Sequence, residues 1–291
     1  MSGFPNIEGE DRAFLETARA AATSAVAVHR EAGDEARSGG WRDKGRADFV
    51  TEVDLEAERR IVETIGSAFP DHAIMAEEGS VAEGSLERSV GWLIDPLDGT
   101  TNWLHGYPEY SVSIAALDSE GLRVAVVENS VTGERFEAVR GEGARRNDQP
   151  IGVSILTELE GALVGTGFPF KKLELLPGYL EMFGRVLRAT SGVRRAGVAS
   201  LDLCDLACGR LDAFWELWLM PWDVAAGALI IEEAGGAFMR LELLDADTPL
   251  GTDAPQGADA PLGAERLRPG AFLAAGPGIL AEFRALVEGR V

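Results

Sequence analysis

Two aspartates directly follow a short apolar run, and this segment is where the sequence first points to chemistry. Trp92-Leu93-Ile94 has the character of a buried strand, and Asp95 and Asp98 come straight after it. Pro96 is expected to turn the chain out of the sheet. The two carboxylates can then converge on one hard cation, with the carbonyl oxygen of Leu97 as a neutral ligand between them. The segment therefore predicts a cation site.

The residues after these aspartates predict a phosphate site beside the cation. Gly99 permits a backbone conformation that side chains obstruct, and Thr100 and Thr101 are expected to open a short helix. The free N–H groups and the positive dipole end of such a helix suit a phosphate. Asp-Gly pairs are also common in surface turns, so Asp98-Gly99 alone would be turn chemistry roughly half the time. Two acids directly after a core strand favour the metal site.

The pattern Trp92-x-Ile94-Asp95-Pro96-Leu97-Asp98-Gly99-Thr100-x-Asn102 resembles the signature of the inositol monophosphatase family of Mg²⁺-dependent, lithium-sensitive phosphatases. Three further segments are similar to family motifs and occur in the same order. They are the early aspartate motif at Asp48–Asp54, the paired glutamates Glu77-Glu78, and a C-terminal motif at Trp222–Gly227 with Glu233–Gly236. The resemblance runs from about Lys44 to Gly236, which is nearly the whole chain.

The resemblance implies two Mg²⁺ ions in one site, with room for a third, weaker ion near Glu77 and with Mn²⁺ as a candidate substitute. Glu77, Asp95 and the Leu97 carbonyl would hold the first ion. Asp95, Asp98 and Asp223 would hold the second, so that Asp95 bridges the two. Magnesium prefers oxygen ligands and keeps several of its waters, so a few carboxylates suffice.

The resemblance also assigns catalytic roles. Glu77 and Thr100 would orient the attacking water and help to deprotonate it, and Asp54 would fix the Thr100 hydroxyl. Each acid has a simpler explanation when taken alone. Asp54 lies three residues after Thr51 in a helix-capping arrangement, and Asp223 ahead of a helix would be an N-cap at roughly three to one. The joint occurrence of these acids with the aspartates after the strand favours the catalytic site.

A substrate-binding surface is implied by the same resemblance. Its residues would be Leu97, Asp98, Gly99, Thr100, Arg195, Gly197, Val198, Ala199, Glu216 and Asp223. Glu216 is the sharpest of these, because an acidic side chain can hydrogen-bond the hydroxyls of a polyol. Without the resemblance, Glu216 would be interpreted as an exposed acid at a strand end, and Arg195 as one of a surface pair with Arg194.

These residues predict a Mg²⁺-dependent phosphomonoesterase that hydrolyses inositol 1-phosphate, a small-molecule phosphate monoester, with a metal-activated water. The alternative within the same chemistry is hydrolysis of fructose 1,6-bisphosphate, histidinol phosphate or 3′-phosphoadenosine 5′-phosphate. A different class is also open, because some bacterial members of the family act as interaction proteins of the transcription and RNA-processing machinery.

Composition bounds the partners. The chain has 27 basic and 48 acidic residues and a net charge of −21, which argues against a nucleic-acid or anionic-membrane surface, so no nucleic-acid partner is expected. An anionic substrate is not excluded, since bound divalent cations can invert the local field. Cys204 and Cys208 are the only cysteines and are predicted to be free thiols on one helical face.

No run of about 18 apolar residues is present to span a bilayer, and the first residues lack the basic and then apolar pattern of a secretion signal. The sequence therefore predicts a cytoplasmic protein that does not enter a membrane. The family resemblance makes a homodimer the default expectation.

The hydrophobic pattern predicts a fold of the α/β class with an α+β N-terminal half. In the first half, helices are predicted at 11–37 and from Asp54 to Pro70, and antiparallel strands at 110–117, 122–129 and 134–140. In the second half, strands at 162–166 and 213–217 alternate with helices at 176–188, 201–208 and 223–234. A segment rich in Pro, Gly and Asp at 245–269 is predicted to be a surface insertion.

The resemblance adds the architecture. It implies a five-layer αβαβα sandwich with two subdomains, 1–154 and 155–291. The first would carry two helices, the antiparallel sheet and most of the metal ligands. The second would carry Asp223 and the substrate-contacting residues. The active site would lie between them.

Overall fold

Helices and sheets alternate in five layers, in the order helix, sheet, helix, sheet, helix. The structure is a computed structural model that describes residues 4, 7–32, 41–45, 48–79, 81–82, 90–241 and 267–290. Over these residues the five-layer α/β prediction is confirmed. The proposed division at residue 154 stays a prediction, although strands from either side of it belong to different sheets.

The first sheet has eight strands in the order β10-β9-β8-β7-β6-β5-β3-β4. Their bounds are β3 Ala73–Ala76, β4 Val81–Ala82, β5 Gly91–Asp98, β6 Ser111–Asp118, β7 Gly121–Asn129, β8 Arg135–Val139, β9 Gly143–Arg146 and β10 Gln149–Pro150. A separate antiparallel pair, β1 Trp41–Gly45 and β2 Asp48–Thr51, precedes them. The predicted strands at 110–140 are confirmed as β6, β7 and β8.

Two helices cover the outer face of this sheet. Helix α1 spans Gly9–Glu31 and α2 spans Glu52–Ala68, and alanines and branched residues on both bury against the sheet. Helix α2 begins with a capping box, in which the Thr51 side chain accepts from the Asp54 N–H and the Asp54 carboxylate accepts from the Thr51 N–H at 2.9 Å. A short helix, α3, spans Thr100–Leu104 as predicted.

The second sheet has five strands in the order β12-β11-β13-β15-β14. Their bounds are β11 Leu163–Thr166, β12 Gly192–Arg194, β13 Ala213–Leu219, β14 Ala237–Leu241 and β15 Gly270–Ala275. Helices α5 Ala199–Ala207 and α6 Pro221–Glu233 fill the space between the two sheets, and α4 Leu176–Ala189 and α7 Leu280–Glu288 cover the outer face. Residues 242–266 are outside the described part, so the insertion predicted at 245–269 is described only from residue 267.

Strand β5 differs from the prediction that Pro96 would end it. The strand continues to Asp98, and its pairing with β6 changes register, because Asp95 lies opposite Ser113 and Asp98 lies opposite Ser111. Three steps along β5 therefore match two along β6, which is a bulge. A bulge accommodates proline, since proline has no N–H to donate to the neighbouring strand.

Two helix boundaries also differ. Helix α1 ends at Glu31 rather than at residue 37, because Ala32 has an extended ψ of 101°. Helix α6 begins at Pro221, so Asp223 is the third residue of its first turn and not an N-cap. Proline suits the first helical position, where its missing N–H would have no partner within the helix.

Among the described helices, none combines the length and the apolar composition needed to cross a bilayer. The cytoplasmic location and the homodimer stay predictions.

The stability of the fold is predicted to depend on pH through His29. This side chain on α1 is buried, its Nδ1 lies 2.8 Å from Ser130 Oγ, and burial lowers its pKa from 6.5 to about 4. Between these values the unfolded chain binds more protons than the folded one. The free energy of unfolding should therefore fall by up to about 3 kcal/mol as the pH drops from 6.5 to 4. Urea unfolding of wild type and His29→Asn across this range checks it; parallel pH curves for the two proteins would contradict it.

Candidate active site

A cavity of about 410 Å³ lies between the two halves of the chain. Most of the residues predicted for the site line it. These are Glu77, Asp95, Leu97, Asp98, Gly99, Thr100, Arg195, Gly197, Ala199, Glu216 and Asp223. Two predicted residues are not in the lining. Asp54 is buried behind Thr100, and the Val198 side chain is buried in the core between the sheets.

Sheet pairing places the acids at one edge. Strand β3 runs parallel to β5, and the Glu77 N–H, just beyond β3, donates to the Ile94 carbonyl at 3.2 Å. Glu77 is thereby adjacent in the sheet to Asp95. Asp98 follows at the end of the β5 bulge, and Asp223 enters from the first turn of α6 in the other half. Acids that are 146 positions apart in the sequence, such as Glu77 and Asp223, therefore face one cavity.

The carboxylates are close enough to disturb each other electrostatically. Burial raises the pKa of Asp95 well above its ordinary value, and the charges of Glu77, Asp98 and Asp223 raise it further. Burial likewise raises the pKa of Asp223, followed by the charges of Glu77 and Asp98. Burying several like charges is unfavourable unless a counter-charge joins them.

The donor set fits Mg²⁺. Over the described residues, no group of three or more His, Cys, Asp or Glu side chains is arranged to hold a metal ion by protein atoms alone. Magnesium retains several of its waters and also takes substrate oxygens, so the carboxylates need not form a complete cage before it binds. The metal-binding side chains that line the cavity are carboxylates, which are hard oxygen ligands, and a divalent cation would relieve their mutual repulsion.

A hydroxyl network lies next to these acids. The Thr100 hydroxyl is 3.0 Å from Asp54 Oδ1 and 3.1 Å from the Leu97 carbonyl, both of which are acceptors. The other oxygen of Asp54 accepts from the Thr51 hydroxyl and the Thr51 N–H. Burial raises the pKa of Asp54, and the bonds from Thr51 and Thr100 oppose this effect. Asp54 thus caps α2 and also fixes Thr100, so the two predicted explanations for this residue are compatible.

Glycine is required at the turn that follows Asp98. Gly99 has φ of +97°, and a Cβ built there would lie 2.9 Å from Val198 Cγ2 and 3.2 Å from the Glu109 carbonyl. The left-handed backbone conformation of Gly99 and the close approach of Val198, the residue just before α5, both exclude a side chain at this position.

The substrate side of the cavity comes from the second half. Glu216 on β13 has its carboxylate against Gly167, where a Cβ would come within 2.0 Å of Oε1. Burial raises the pKa of Glu216 to about 8, and the charge of Arg195 opposes this rise. Arg195 is exposed, and its guanidinium lies over the rings of Phe168 at 5.5 Å and Phe170 at 5.2 Å.

Several residues that hold the site together were not identified from the sequence. Ser200 donates its N–H and hydroxyl to Asp98, at 2.8 and 2.6 Å. Glu58 on α2 is buried and accepts from the Glu78 N–H at 2.8 Å, next to Glu77. A buried glutamate on an otherwise amphipathic helix is a signal that could have identified Glu58, whereas nothing in the sequence connects Ser200 with Asp98.

Asn102 belongs to the signature pattern, but the sequence alone assigned it no role. Its side-chain N–H₂ donates to the Glu109 carbonyl at 2.8 Å and to the Ala196 carbonyl at 3.0 Å. It therefore ties α3 to the segment before α5, across the cavity.

The sequence matches the model of the inositol monophosphatase family over residues 10–251. The chain belongs to the inositol monophosphatase family. The resemblance drawn from the motifs is thus confirmed, and phosphatase chemistry is supported at the level of the family.

Several bacterial proteins are similar to this chain in sequence or in fold. A protein of Pseudomonas aeruginosa named Nus factor SuhB is 52% identical over 197 residues, which are 67% of this chain and 73% of the relative. The structure of extragenic suppressor protein suhB from Bartonella henselae aligns with a TM-score of 0.82 and 31% identity, over 96% of this chain and all of that one. Inositol monophosphatase from Anabaena aligns with a TM-score of 0.79 and 33% identity, over 96% of each chain.

The prediction that this protein has no nucleic-acid partner is wrong. The Pseudomonas aeruginosa relative is named a Nus factor, and the name is that of a transcription factor. The exclusion depends on the net charge of −21. Net charge reports the average surface, whereas assembly with a nucleic-acid-bound complex depends on local patches, so the sum alone does not decide it.

The turn geometry makes a stability prediction for Gly99. Gly99→Ala should lower the free energy of unfolding by about 1–3 kcal/mol, because alanine is strained at positive φ and its Cβ would clash with Val198. Gly66→Ala is the matched control. Gly66 lies within α2 with nothing within 4 Å of a built Cβ, so its substitution should stabilise by about 0.4–1 kcal/mol. Chemical unfolding checks both; equal effects at the two glycines would contradict the assignment.

Proposed function

We propose that this protein is a Mg²⁺-dependent phosphomonoesterase whose substrate is inositol 1-phosphate or a closely similar polyol phosphate. The observation that carries the proposal is the meeting of Glu77, Asp95, Asp98 and Asp223 in one cavity with the Thr100 hydroxyl. Membership of the inositol monophosphatase family supports the same chemistry.

The acids are assigned to two cation positions. Glu77, Asp95 and the Leu97 carbonyl would hold one ion, and Asp95, Asp98 and Asp223 the other. When bound, these cations supply the Lewis acidity that lowers the pKa of water and offsets the charge of the phosphoryl group. The negative charge that the acids concentrate in the cavity is what would draw divalent cations to it.

The chain's own groups position the attacking water. The Thr100 hydroxyl has one proton, which it donates to Asp54 or to the Leu97 carbonyl. Its lone pairs are then left to accept a hydrogen bond from a water molecule. Glu77 also lines the cavity and offers a second acceptor, so Thr100 and Glu77 together would orient the water and help to remove its proton.

Glu216 and Arg195 are assigned to the alcohol side of the substrate. Burial raises the pKa of the Glu216 carboxyl to about 8, and its oxygens can accept hydrogen bonds from the hydroxyls of a polyol. The exposed Arg195 sits at the mouth of the cavity, where its charge would attract an anionic substrate.

The proposal predicts Mg²⁺-dependent release of phosphate. Purified protein should hydrolyse inositol 1-phosphate with Mg²⁺ and lose activity in EDTA, and Thr100→Val should lower kcat by about 10²–10⁴-fold because it removes a hydrogen-bond acceptor that orients the attacking water. The measurement is phosphate release from the four candidate substrates named above. Thr64→Val, which removes a hydroxyl that bonds only the Arg60 carbonyl on α2, is the control. Equal activity with and without divalent metal would contradict the proposal.

A role in a transcription complex is the second candidate function, and the name of the Pseudomonas aeruginosa relative favours it. Asp98→Ala separates the two candidates. If phosphate release is the cellular function, this variant should lose phosphatase activity and also fail to restore growth in a bacterium that lacks its own relative. A variant without phosphatase activity that restores growth would support the interaction role, and Ser24→Ala, on α1 and away from the cavity, serves as the control for expression.

A further inference from the structure

We propose that Ser200, supported by Ser111, is a positioning residue that fixes the Asp98 carboxylate for binding a divalent cation and connects that cation position to the substrate side of the cavity. This inference rests on the proposed function. Neither Ser111 nor Ser200 belongs to the family motifs found in the sequence.

The contacts involve three buried or half-buried groups from three elements. Asp98 is at the end of β5, Ser111 is opposite it on β6, and Ser200 is the second residue of α5 in the other half of the chain. Ser200 directs both its N–H, at 2.8 Å, and its hydroxyl, at 2.6 Å, to Asp98 Oδ2. The Ser111 and Ser200 hydroxyls lie 2.8 Å apart, and neither serine has surface in contact with solvent.

The directions of these hydrogen bonds follow from chemistry. A carboxylate only accepts, so the Ser200 hydroxyl must donate its single proton to Asp98. It can then only accept from Ser111, which must donate. The chain Ser111 to Ser200 to Asp98 therefore has one orientation, and each donor strengthens the next. Both bonds from Ser200 end on Oδ2, so they leave Oδ1 as the oxygen for a cation.

Asp98 also caps the N-terminus of α5, whose own N-cap residue cannot do so. The N-cap residue of this helix, Val198, has an apolar side chain and makes no side-chain capping bond. The first N–H groups of a helix have no partner within it, and a carboxylate placed there is stabilised by the helix dipole. Asp98 accepts from the Ser200 N–H at 2.8 Å, so it caps the helix from the other half of the chain.

This arrangement has two consequences. The two donors on Oδ2 hold the Asp98 carboxylate in one orientation at the cavity. The same bonds hold the start of α5. The segment that leads into this helix lines the cavity with Arg195, Gly197 and Ala199. Groups around a metal ligand that orient it are typically worth about 10–100-fold in metal affinity.

The test is the affinity for Mg²⁺, measured by titration calorimetry on the full chain without substrate. Ser200→Ala should weaken Mg²⁺ binding at one of two sites by about 10–100-fold, and the Mg²⁺ concentration that gives half-maximal phosphate release should rise with it. Ser111→Ala should weaken the same site less. The double variant should bind no more weakly than Ser200→Ala, since without Ser200 the Ser111 hydroxyl has no route to Asp98.

Controls separate this inference from the proposed function. Ser24→Ala removes a helix hydroxyl that bonds only the Ala21 carbonyl, and should leave Mg²⁺ binding unchanged. Wild-type Mg²⁺ affinity in folded Ser200→Ala would overturn the inference even if phosphatase activity is present. If Ser200→Ala does not fold, Ser111→Ala decides, and an unchanged affinity there overturns the inference. A wild-type protein that binds Mg²⁺ but releases no phosphate would overturn the proposed function alone, whereas one that binds no Mg²⁺ would overturn both.

Discussion

Bringing several carboxylates together out of water is the constraint on which the rest of this structure depends. Each buried charge is costly by itself, and like charges at close range raise one another's pKa, as Glu77, Asp98 and Asp223 do for Asp95. Backbone N–H groups that donate to the carboxylates offset part of this free-energy cost. The Leu97 N–H donates to Asp95 at 3.0 Å and the Met220 N–H donates to Asp223 at 2.7 Å. A divalent cation would supply the remaining counter-charge.

The fold meets this constraint by placing the acids where regular structure ends. The bulge in β5 lets Pro96 interrupt the ladder without ending the strand, so Asp95 and Asp98 both stay at the edge of the sheet. The first turn of α6 brings Asp223 from the opposite side, and its carboxylate accepts from the backbone of that same turn. Elements with extensive packing thus hold the backbone, and only the tips of side chains face the cavity.

Contacts across the cavity join the two halves of the chain. Asn102 on α3 donates to the Ala196 carbonyl, and Asp98 caps α5 through Ser200. These bonds connect the candidate metal ligands with the segment at Gly197. The helices between the sheets, α5 and α6, are buried on nearly all sides, which limits relative movement of the two sheets at the site.

Local signals in the sequence determined the fold class, the main helices and strands, and the family. An apolar run followed by Asp95 and Asp98, and a glycine where φ must be positive, are readable because the cause lies within a few neighbouring residues. The end of β5 could not be predicted, since the bulge depends on the register with β6. The role of Ser200 depends on its contact with Asp98, which is 102 positions away in the chain. Tertiary structure alone decided the bulge and the contact of Ser200. A hydrogen bond depends on the distance between two groups in space, and the positions of two residues along the sequence do not give that distance.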